Sequence, residues 1–412
     1  MKPKLLYLTP VVPATTGNGL SMRAGTILEA LASHYTVTLL VIPRYPPTDA
    51  AVPARFEQLC ESCIVSRDTA VSRAGFWPVL RAICSGLRRP GGSPWSGSLL
   101  DGERFDVVHV FRMAMMPFAR RLLSGWRRSP QLHLDLDDIE PLTHRRVAAL
   151  CHLNGDHAHA AIEEAEARRY EGMEADVFAA CDRIYVCSEG DRHVLTGKAR
   201  GDIAVVPNAV RIPESVRPRK AGLPFSFLFV GTLGYYPNED AVRYLAAEIL
   251  PWMRARTATA FRFDIVGSGA TSRLEQLAGP ELRLIGAVAD VGPSYRDAAA
   301  VVAPMRAGGG TRIKILEAFS YQRPVVSTSI GMEGIKAQDE EQILIGDTPD
   351  AFAGRCVRLM NDWNLGERLA ERAYATVVQA YSFKAVENTI AAFCRSQRLA
   401  GGRSAATSPS ST

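Results

Sequence analysis

The chain contains no run of about 18 apolar residues, so no segment has the length and polarity of a membrane-crossing helix. Met1-Lys2-Pro3-Lys4 leads only into Leu5-Leu6-Tyr7-Leu8, too short an apolar stretch for a signal sequence. This start reads as the first strand of a cytoplasmic protein. An excess of one charge is missing too: 48 basic residues stand against 43 acidic ones in 412, a net of +5, which argues against a nucleic-acid partner. The eight cysteines are scattered, too few for a disulfide framework in a chain of this size. Cys60 and Cys63 form a lone CxxC with no second pair at zinc spacing, and are expected to be two ordinary, partly buried thiols. No GxGxxG follows the first strand, where Val11-Val12-Pro13-Ala14-Thr15-Thr16 comes before any glycine, which argues against a dinucleotide oxidoreductase or a nucleotide-sugar epimerase.

What is present is an ordinary globular composition, 47% hydrophobic and 22% charged, in a chain long enough for two full cores. Apolar strand-like runs alternate with helix-period segments: Leu5–Leu8, a helix near Arg23–Ala32, Thr36–Ile42, then Val107–Val110, Leu132–Leu136, Ile184–Val186 and Ile203–Val206. That alternation predicts βαβ units and a parallel sheet. After Asn208 a proline- and charge-rich stretch, Arg211 to Lys220, breaks the pattern, which then restarts. Strands are expected at Phe225–Val230, Phe261–Val266, Leu282–Ile285 and Ala299–Ala303, with a helix at Asp240–Met253. The expected organisation is a first α/β domain over residues 1–208, a linker at 209–222 and a second α/β domain at 223–375. A C-terminal helix at 376–400, able to pack back on the first domain, and a disordered tail at 401–412 complete it.

The densest chemistry lies in Gly308-Gly309-Gly310-Thr311-Arg312-Ile313-Lys314-Ile315-Leu316-Glu317-Ala318-Phe319, followed by Pro324-Val325-Val326. Three glycines let the backbone approach a ligand, and the helix after them offers free N–H groups and a positive dipole end, an address for an anion. At 100° per residue Ile315, Leu316 and Phe319 share one side while Lys314, Glu317 and Tyr321 share the other. Arg312, in the first turn, has a fork suited to phosphate. The plainer alternative is a surface helix on which Lys314 and Glu317 pair, three residues apart.

A second polar concentration is His133-Leu134-Asp135-Leu136-Asp137-Asp138-Ile139-Glu140, where strand alternation sends His133, Asp135 and Asp137 to one face. At the end of a strand, Asp137, Asp138 and Glu140 can reach the mouth of a cleft and meet an acceptor, or they can hold the domain together through Arg145 or Arg146. His133 with these aspartates would also make a metal set, although no metal is expected. His109 is either a buried core histidine or a ligand contact. Gly75 to Pro94 interleaves Phe76, Trp77, Leu80, Ile83 and Leu87 with Arg81, Arg88 and Arg89, a basic amphipathic pattern that packs on its own domain or lies on an anionic membrane surface.

Taken in order, these segments resemble the group 1 retaining glycosyltransferases of the GT-B fold, from Leu5 to about Phe393. The matching pieces are Thr9-Pro10 and Gly17-Asn18-Gly19 with Arg23 on the next helix, then Val206-Pro207-Asn208-Ala209-Val210 and Phe229-Val230-Gly231-Thr232. Ile265-Val266-Gly267-Ser268-Gly269, Gly286-Ala287-Val288-Ala289-Asp290, Glu317-Ala318, Pro324-Val325-Val326, Gly331 and Glu333 follow. The resemblance implies two Rossmann-like domains with a nucleotide-diphosphate sugar, UDP- or GDP-linked, between them. The acceptor would be a glycan or a lipid-linked sugar, in polysaccharide or glycoconjugate biosynthesis. It implies that Glu317 holds the ribose and that Arg312 and Lys314 neutralise the departing diphosphate with no obligatory metal. Gly231, Thr232, Gly286 and Val288 would line the nucleotide, Gly17 and Gly19 would close over it, and His109 would touch the sugar. Three departures stand out. Gly309 occupies the position, eight before Glu317, where the family has an acid; the cation usual after Gly231 is missing from Thr232-Leu233-Gly234-Tyr235-Tyr236; and the family's HxH reads His109-Val110-Phe111. Contacts to the sugar would then fall to the backbone of Gly309, Gly310 and Thr311. A catalytically silent nucleotide-sugar-binding protein, or an epimerase of similar two-domain fold, is the alternative reading.

Overall fold

The computed structural model describes residues 2–44, 51–66, 100, 103–124, 126, 129–216, 218 and 224–404. The Gly75 to Pro94 segment, and with it the membrane-surface expectation, lies outside the described residues, as do parts of the 209–222 and 401–412 segments. Two all-parallel sheets carry the chain. The first has the order β3-β2-β1-β4-β5-β6-β7, built from β1 (Lys4–Thr9), β2 (Thr36–Val41), β3 (Ser62–Val65), β4 (Val107–Phe111), β5 (Gln131–Asp135), β6 (Arg183–Val186) and β7 (Asp202–Val205). The second has the order β10-β9-β8-β11-β12-β13, built from β8 (Phe225–Val230), β9 (Phe261–Val266), β10 (Leu282–Gly286), β11 (Ala300–Ala303), β12 (Val325–Ser327) and β13 (Leu344–Ile345). Helices between successive strands cover both faces, as parallel sheets require. In each sheet the order reverses next to the domain's first strand, between β1 and β4 and between β8 and β11. Such switch points leave a crevice at the carboxyl ends of the strands. The fold is α/β, with two Rossmann-like domains.

Local differences from the sequence pattern have physical causes. The helix expected at Asp240–Met253 starts earlier, at Tyr236, and is a composite: α-helix to Tyr244, a π-helical turn at Leu245–Ile249, then Leu250–Arg256 with Pro251 at its start. Proline has no N–H to donate to the preceding turn, and the wider π turn accommodates it. Strand β5 ends at Asp135, so Asp137 and Asp138 sit in the loop after it and not on the strand. Cys63 lies in the edge strand β3, and burial pushes both the Cys60 and Cys63 thiols up from their ordinary range.

The first domain is organised around a buried ion pair. Arg23 is 1% exposed and Asp135 0%. The guanidinium Nε and Nη2 donate to Asp135 Oδ1 at 2.9 and 2.7 Å, and Nη1 donates to Val206 O at 2.9 Å and Asn208 Oδ1 at 3.0 Å. Burial alone would raise the Asp135 carboxyl, but Arg23, then His109, hold it below its ordinary value. The pair ties the Gly19–Ala32 helix to β5 and to the segment leading into the second domain.

The chain crosses between domains twice at one place. Val210 N donates to Tyr381 O at 2.9 Å and Phe383 N to Val210 O at 3.1 Å, so outgoing and returning strands pair in parallel. Beyond this crossing the Phe383–Ser404 helix inserts Val386, Ile390 and Cys394 into a core with Leu5, Tyr7, Ala24 and Ile27 of the first domain. A small apolar cluster of Val147, Leu150, Cys151 and Ala160 with Ala307, flanked by Tyr236, joins the domains a second time.

Arg23→Ala should lower unfolding stability by about 3–5 kcal/mol, because it leaves the Asp135 charge buried without its partner. Urea unfolding of the full chain measures this; a loss below about 1 kcal/mol would show that the pair does not organise the domain.

Candidate functional site

The glycine segment follows β11 at the switch point of the second sheet and leads into the Ile313–Ser320 helix. Gly308 and Gly310 have φ of +119° and +63°, which side-chain-bearing residues rarely adopt. Gly309 faces the first domain so closely that a Cβ there would lie 1.7 Å from Thr143 Oγ1 and 3.1 Å from the Asp138 carboxyl carbon. One at Gly310 would lie 2.8 Å from Asp137 O. The acid expected eight residues before Glu317 therefore has no room while the domains meet in this way.

Arg312 precedes the helix instead of lying in its first turn, and it is 8% exposed. Its Nη1 donates to Gly310 O at 2.8 Å and also to Gly309 O, so one edge of the fork holds the glycine loop closed. Nε and Nη2, on the other edge, are buried with no partner in the protein. A guanidinium edge left open in this way suits a bidentate anion.

Lys314 and Glu317 find their partners elsewhere than in each other, which corrects the surface-pair alternative. Lys314 Nζ donates to Asn238 Oδ1 at 2.8 Å and lies 4.0 Å above the Phe229 ring, reaching back to the element that lacks its own cation. Burial, and then the nearby Arg312 charge, lower the Lys314 ammonium to about 7. Glu317 Oε2 accepts from Tyr295 Oη at 2.8 Å, and burial raises its carboxyl to about 7. Tyr295 in turn stacks on Tyr321 with ring centroids 5.3 Å apart. Gly231 is where Asn238 packs: a Cβ there would lie 2.9 Å from the Asn238 amide, which donates to Thr232 O at 2.9 Å. Gly286 ends β10 with φ +84°, and Val288, 38% exposed, lies on the loop beyond it. From the first domain, Gly17 turns with φ +101°, and a Cβ on Gly19 would lie 3.1 Å from Ile313 Cδ1, at the start of the helix.

Across from the glycines, Asp137, Asp138 and Glu140 converge on Arg112, at 3.5, 3.7 and 3.2 Å. Arg112 holds a φ of +73°, a conformation that a non-glycine residue keeps only when its surroundings enforce it. Burial raises Glu140 to about 7 against the pull of Arg112. Arg145 and Arg146 do not hold this cluster, because their helix turns them away. Arg145 pairs with Glu171, and Arg146 spans the cleft to Glu333, its Nη2 2.9 Å from Oε1, and to Gly308 O at 3.3 Å. His109 is 0% exposed, stacked on Tyr7 with centroids 5.1 Å apart and 3.8 Å from Asp135 Oδ2. A residue so enclosed does not touch a ligand in the cleft, and the sugar-contact expectation for His109 gives way to the core reading. His133 is likewise buried, and Asp135 is committed to Arg23; among the described residues no group of three His, Cys, Asp or Glu is set to hold a metal.

The family model described as "Glycosyl transferases group 1" matches residues 224–362, the span that contains this site. Those residues are a group 1 glycosyltransferase domain. A comparison with curated proteins finds no match. Solved structures resembling the fold include sucrose-phosphate synthase of Thermosynechococcus elongatus, with TM-score 0.72 and 14% identity, covering 96% of this chain and 100% of that one. HepE of Anabaena in complex with UDP-glucose follows, with TM-score 0.63 and 13% identity over 96% and 100%. A variant of S. aureus TarM, solved with fondaparinux, alpha-GlcNAc-glycerol and UDP, gives TM-score 0.64 and 11% identity over 95% and 99%. At these identities the likeness is one of fold, GT-B. Domain match and fold together indicate a glycosyltransferase.

Two residues that organise this glycosyltransferase's site, Asn238 and Tyr295, escape sequence reasoning. The only hint of Asn238 is Pro237-Asn238 at a helix start. Tyr295 lies in a short helix, Gly292–Asp297, with no periodic pattern of its own. Gly309→Ala should hold the two domains apart, and Thr143→Ala, which removes the atom at 1.7 Å, should restore their contact. Small-angle scattering of the single and double variants checks this; an unchanged profile for Gly309→Ala would show that the contact is not tight in solution.

Proposed function

We propose that this glycosyltransferase transfers a sugar, with retention at the anomeric carbon, from a UDP- or GDP-linked donor to a glycan or lipid-linked acceptor, in polysaccharide or glycoconjugate assembly. The observation that carries this reading is the open edge of Arg312. Two buried guanidinium nitrogens with no partner in the protein, on the residue that caps a helix N-terminus and two positions before Lys314, are donors suited to a diphosphate. Neighbours of the same fold are described in complex with UDP and UDP-glucose, which supports a nucleotide-sugar donor.

In this reading the diphosphate accepts from Arg312, Lys314 and the first N–H groups of the helix. Glu317, steadied by Tyr295, accepts from the ribose hydroxyls. Gly231, Thr232, Gly286 and Val288 border the nucleotide, and the Gly17–Gly19 loop closes from the first domain. As the anomeric C–O bond breaks, negative charge builds on the leaving phosphate, where the cations and helix dipole are aimed. The acceptor hydroxyl attacks from the same face and gives its proton to a leaving phosphate oxygen. Arg312 and Lys314 provide the charge neutralisation that a metal supplies elsewhere. A double displacement would require a carboxylate nucleophile beside the anomeric carbon; Glu140, at 1% exposure, is enclosed, and Asp138 faces Arg112 with Oδ2 3.7 Å from Nη1. The protein would work in the cytoplasm, with peripheral contact at the inner membrane face when the acceptor is lipid-linked.

UDP or GDP should raise the melting temperature of the full chain, and the matching nucleotide-sugar should be hydrolysed or transferred; stabilisation by NAD instead would sink the reading, and binding without turnover would favour a silent binder. Arg312→Ala or Glu317→Ala should weaken nucleotide binding by about tenfold or more, an affinity loss within about twofold contradicting the assignment. Lys314 binds a diphosphate best when protonated, and Glu317 binds hydroxyls best when ionised. Because each group titrates near 7, nucleotide affinity should peak near neutral pH, falling above it as Lys314 loses its charge and below it as Glu317 gains a proton. Calorimetric titration over roughly pH 5.5 to 8.5 checks this; flat affinity would exclude both groups from the contact.

A further inference from the structure

Position 309 raises a chemical question that the donor reading leaves open: which group receives the sugar's hydroxyls. The backbone there is packed against the first domain, and the nearest acid is across the contact. Its carboxyl carbon stands 3.1 Å from where a Gly309 Cβ would be, and its Cβ 3.2 Å from where a Gly310 Cβ would be. That acid is Asp138. Its side chain is 14% exposed, with Oδ2 3.7 Å from Arg112 Nη1 and Oδ1 buried with no partner. Thr143 Oγ1, on a residue 8% exposed and turned toward Gly309, is also without a partner, as are Arg312 Nε and Nη2 on the other side of the glycines. Polar atoms buried and unsatisfied are costly, and several gathered around one backbone turn mark a place where a polar ligand completes the hydrogen bonding. The two kinds of group sort the ligand. Guanidinium nitrogens take the phosphate; a carboxylate repels phosphate and accepts from a hydroxyl.

Resting on the donor reading above, we propose that Asp138 supplies from the first domain the carboxylate that Gly309 lacks, its Oδ1 accepting a hydrogen bond from a hydroxyl of the donor's sugar, with Thr143 beside it. Arg112 orients the carboxylate through Oδ2. The sugar subsite is thus shared between the domains: phosphates and ribose are held by the second, the sugar's hydroxyl by the first. A nucleotide without its sugar does not reach Asp138, whereas the nucleotide-sugar does. Sugars differing only in the configuration of that hydroxyl are distinguished at this contact.

The test compares UDP with UDP-glucose, and GDP with GDP-mannose, by calorimetry on the full-length parent, Asp138→Asn and Asp138→Ala, each checked for a parent-like melting profile. Asp138→Asn keeps the volume and loses the charge, so it reports on the hydrogen bond even if the alanine variant is unstable. The expected result is nucleotide affinity within about twofold of the parent and nucleotide-sugar affinity weaker by about tenfold. Nucleotide-sugar affinity unchanged, or nucleotide and nucleotide-sugar weakened equally, would overturn the proposal, the latter assigning Asp138 to the contact between domains alone. Failure of the donor reading looks different: the parent itself would bind none of the four compounds.

Discussion

The approach of a bare backbone to the opposite domain is the constraint on which the site depends. Gly309 and Gly310 touch Asp137, Asp138 and Thr143 at distances that leave no place for a side chain. This contact fixes how close the two sheets' carboxyl ends come. It also brings the first domain's acids within reach of the second domain's cations without letting them pair. Arg312 could have met Asp138 across the cleft, but its Nη1 is turned onto the carbonyls of its own loop. The positive edge is thereby kept for something that arrives from outside. Preorganised charge of this kind does no reorganisation work when a reaction begins, and this gives buried cations their catalytic leverage.

Burial sets the chemistry as much as identity does. Lys314 on an exposed helix would be a permanent cation and Glu317 a permanent anion. With Lys314 enclosed over Phe229 and Glu317 against Tyr295, burial brings both to about 7. The first domain solves the opposite problem. Arg23 and Asp135 are buried more completely, yet each has a charged partner in contact and both stay ionised. One arrangement holds a fold, and the other leaves electrostatic demand unmet until a ligand supplies it.

Much of this was legible in the sequence. Parallel βαβ units follow from apolar runs such as Phe225–Val230 and Phe261–Val266 alternating with helical segments, and the strands lie where the pattern indicates because fully buried strands must be continuously apolar. The glycine segment announces itself through local composition. What stays hidden is long-range. Arg23 and Asp135 are 112 residues apart, and nothing in either neighbourhood names the other. Asn238 and Tyr295 matter because tertiary packing brings them to Lys314 and Glu317. Gly309 reads in sequence as the loss of an acid; in three dimensions it is a steric requirement of Thr143. His109 looked available because strand ends line clefts, but it is the central residue of β4, fully buried and stacked on Tyr7.

The paired crossing at Val210 and Ser382 bears on how such a molecule moves. Two lengths of main chain, hydrogen-bonded side by side, resist extension and twist more than a single linker does, yet they still permit rotation about the line joining them. The Phe383–Ser404 helix, anchored in the first domain's core, acts as the fixed leaf of this joint. The glycine loop lies close to this joint, since Asn208 Nδ2, two residues before Val210, donates to Asp137 Oδ1 at 3.5 Å and a Gly310 Cβ would lie 2.8 Å from Asp137 O. A rotation about the crossing therefore moves the loop through a short arc and displaces the outer edges of the domains more.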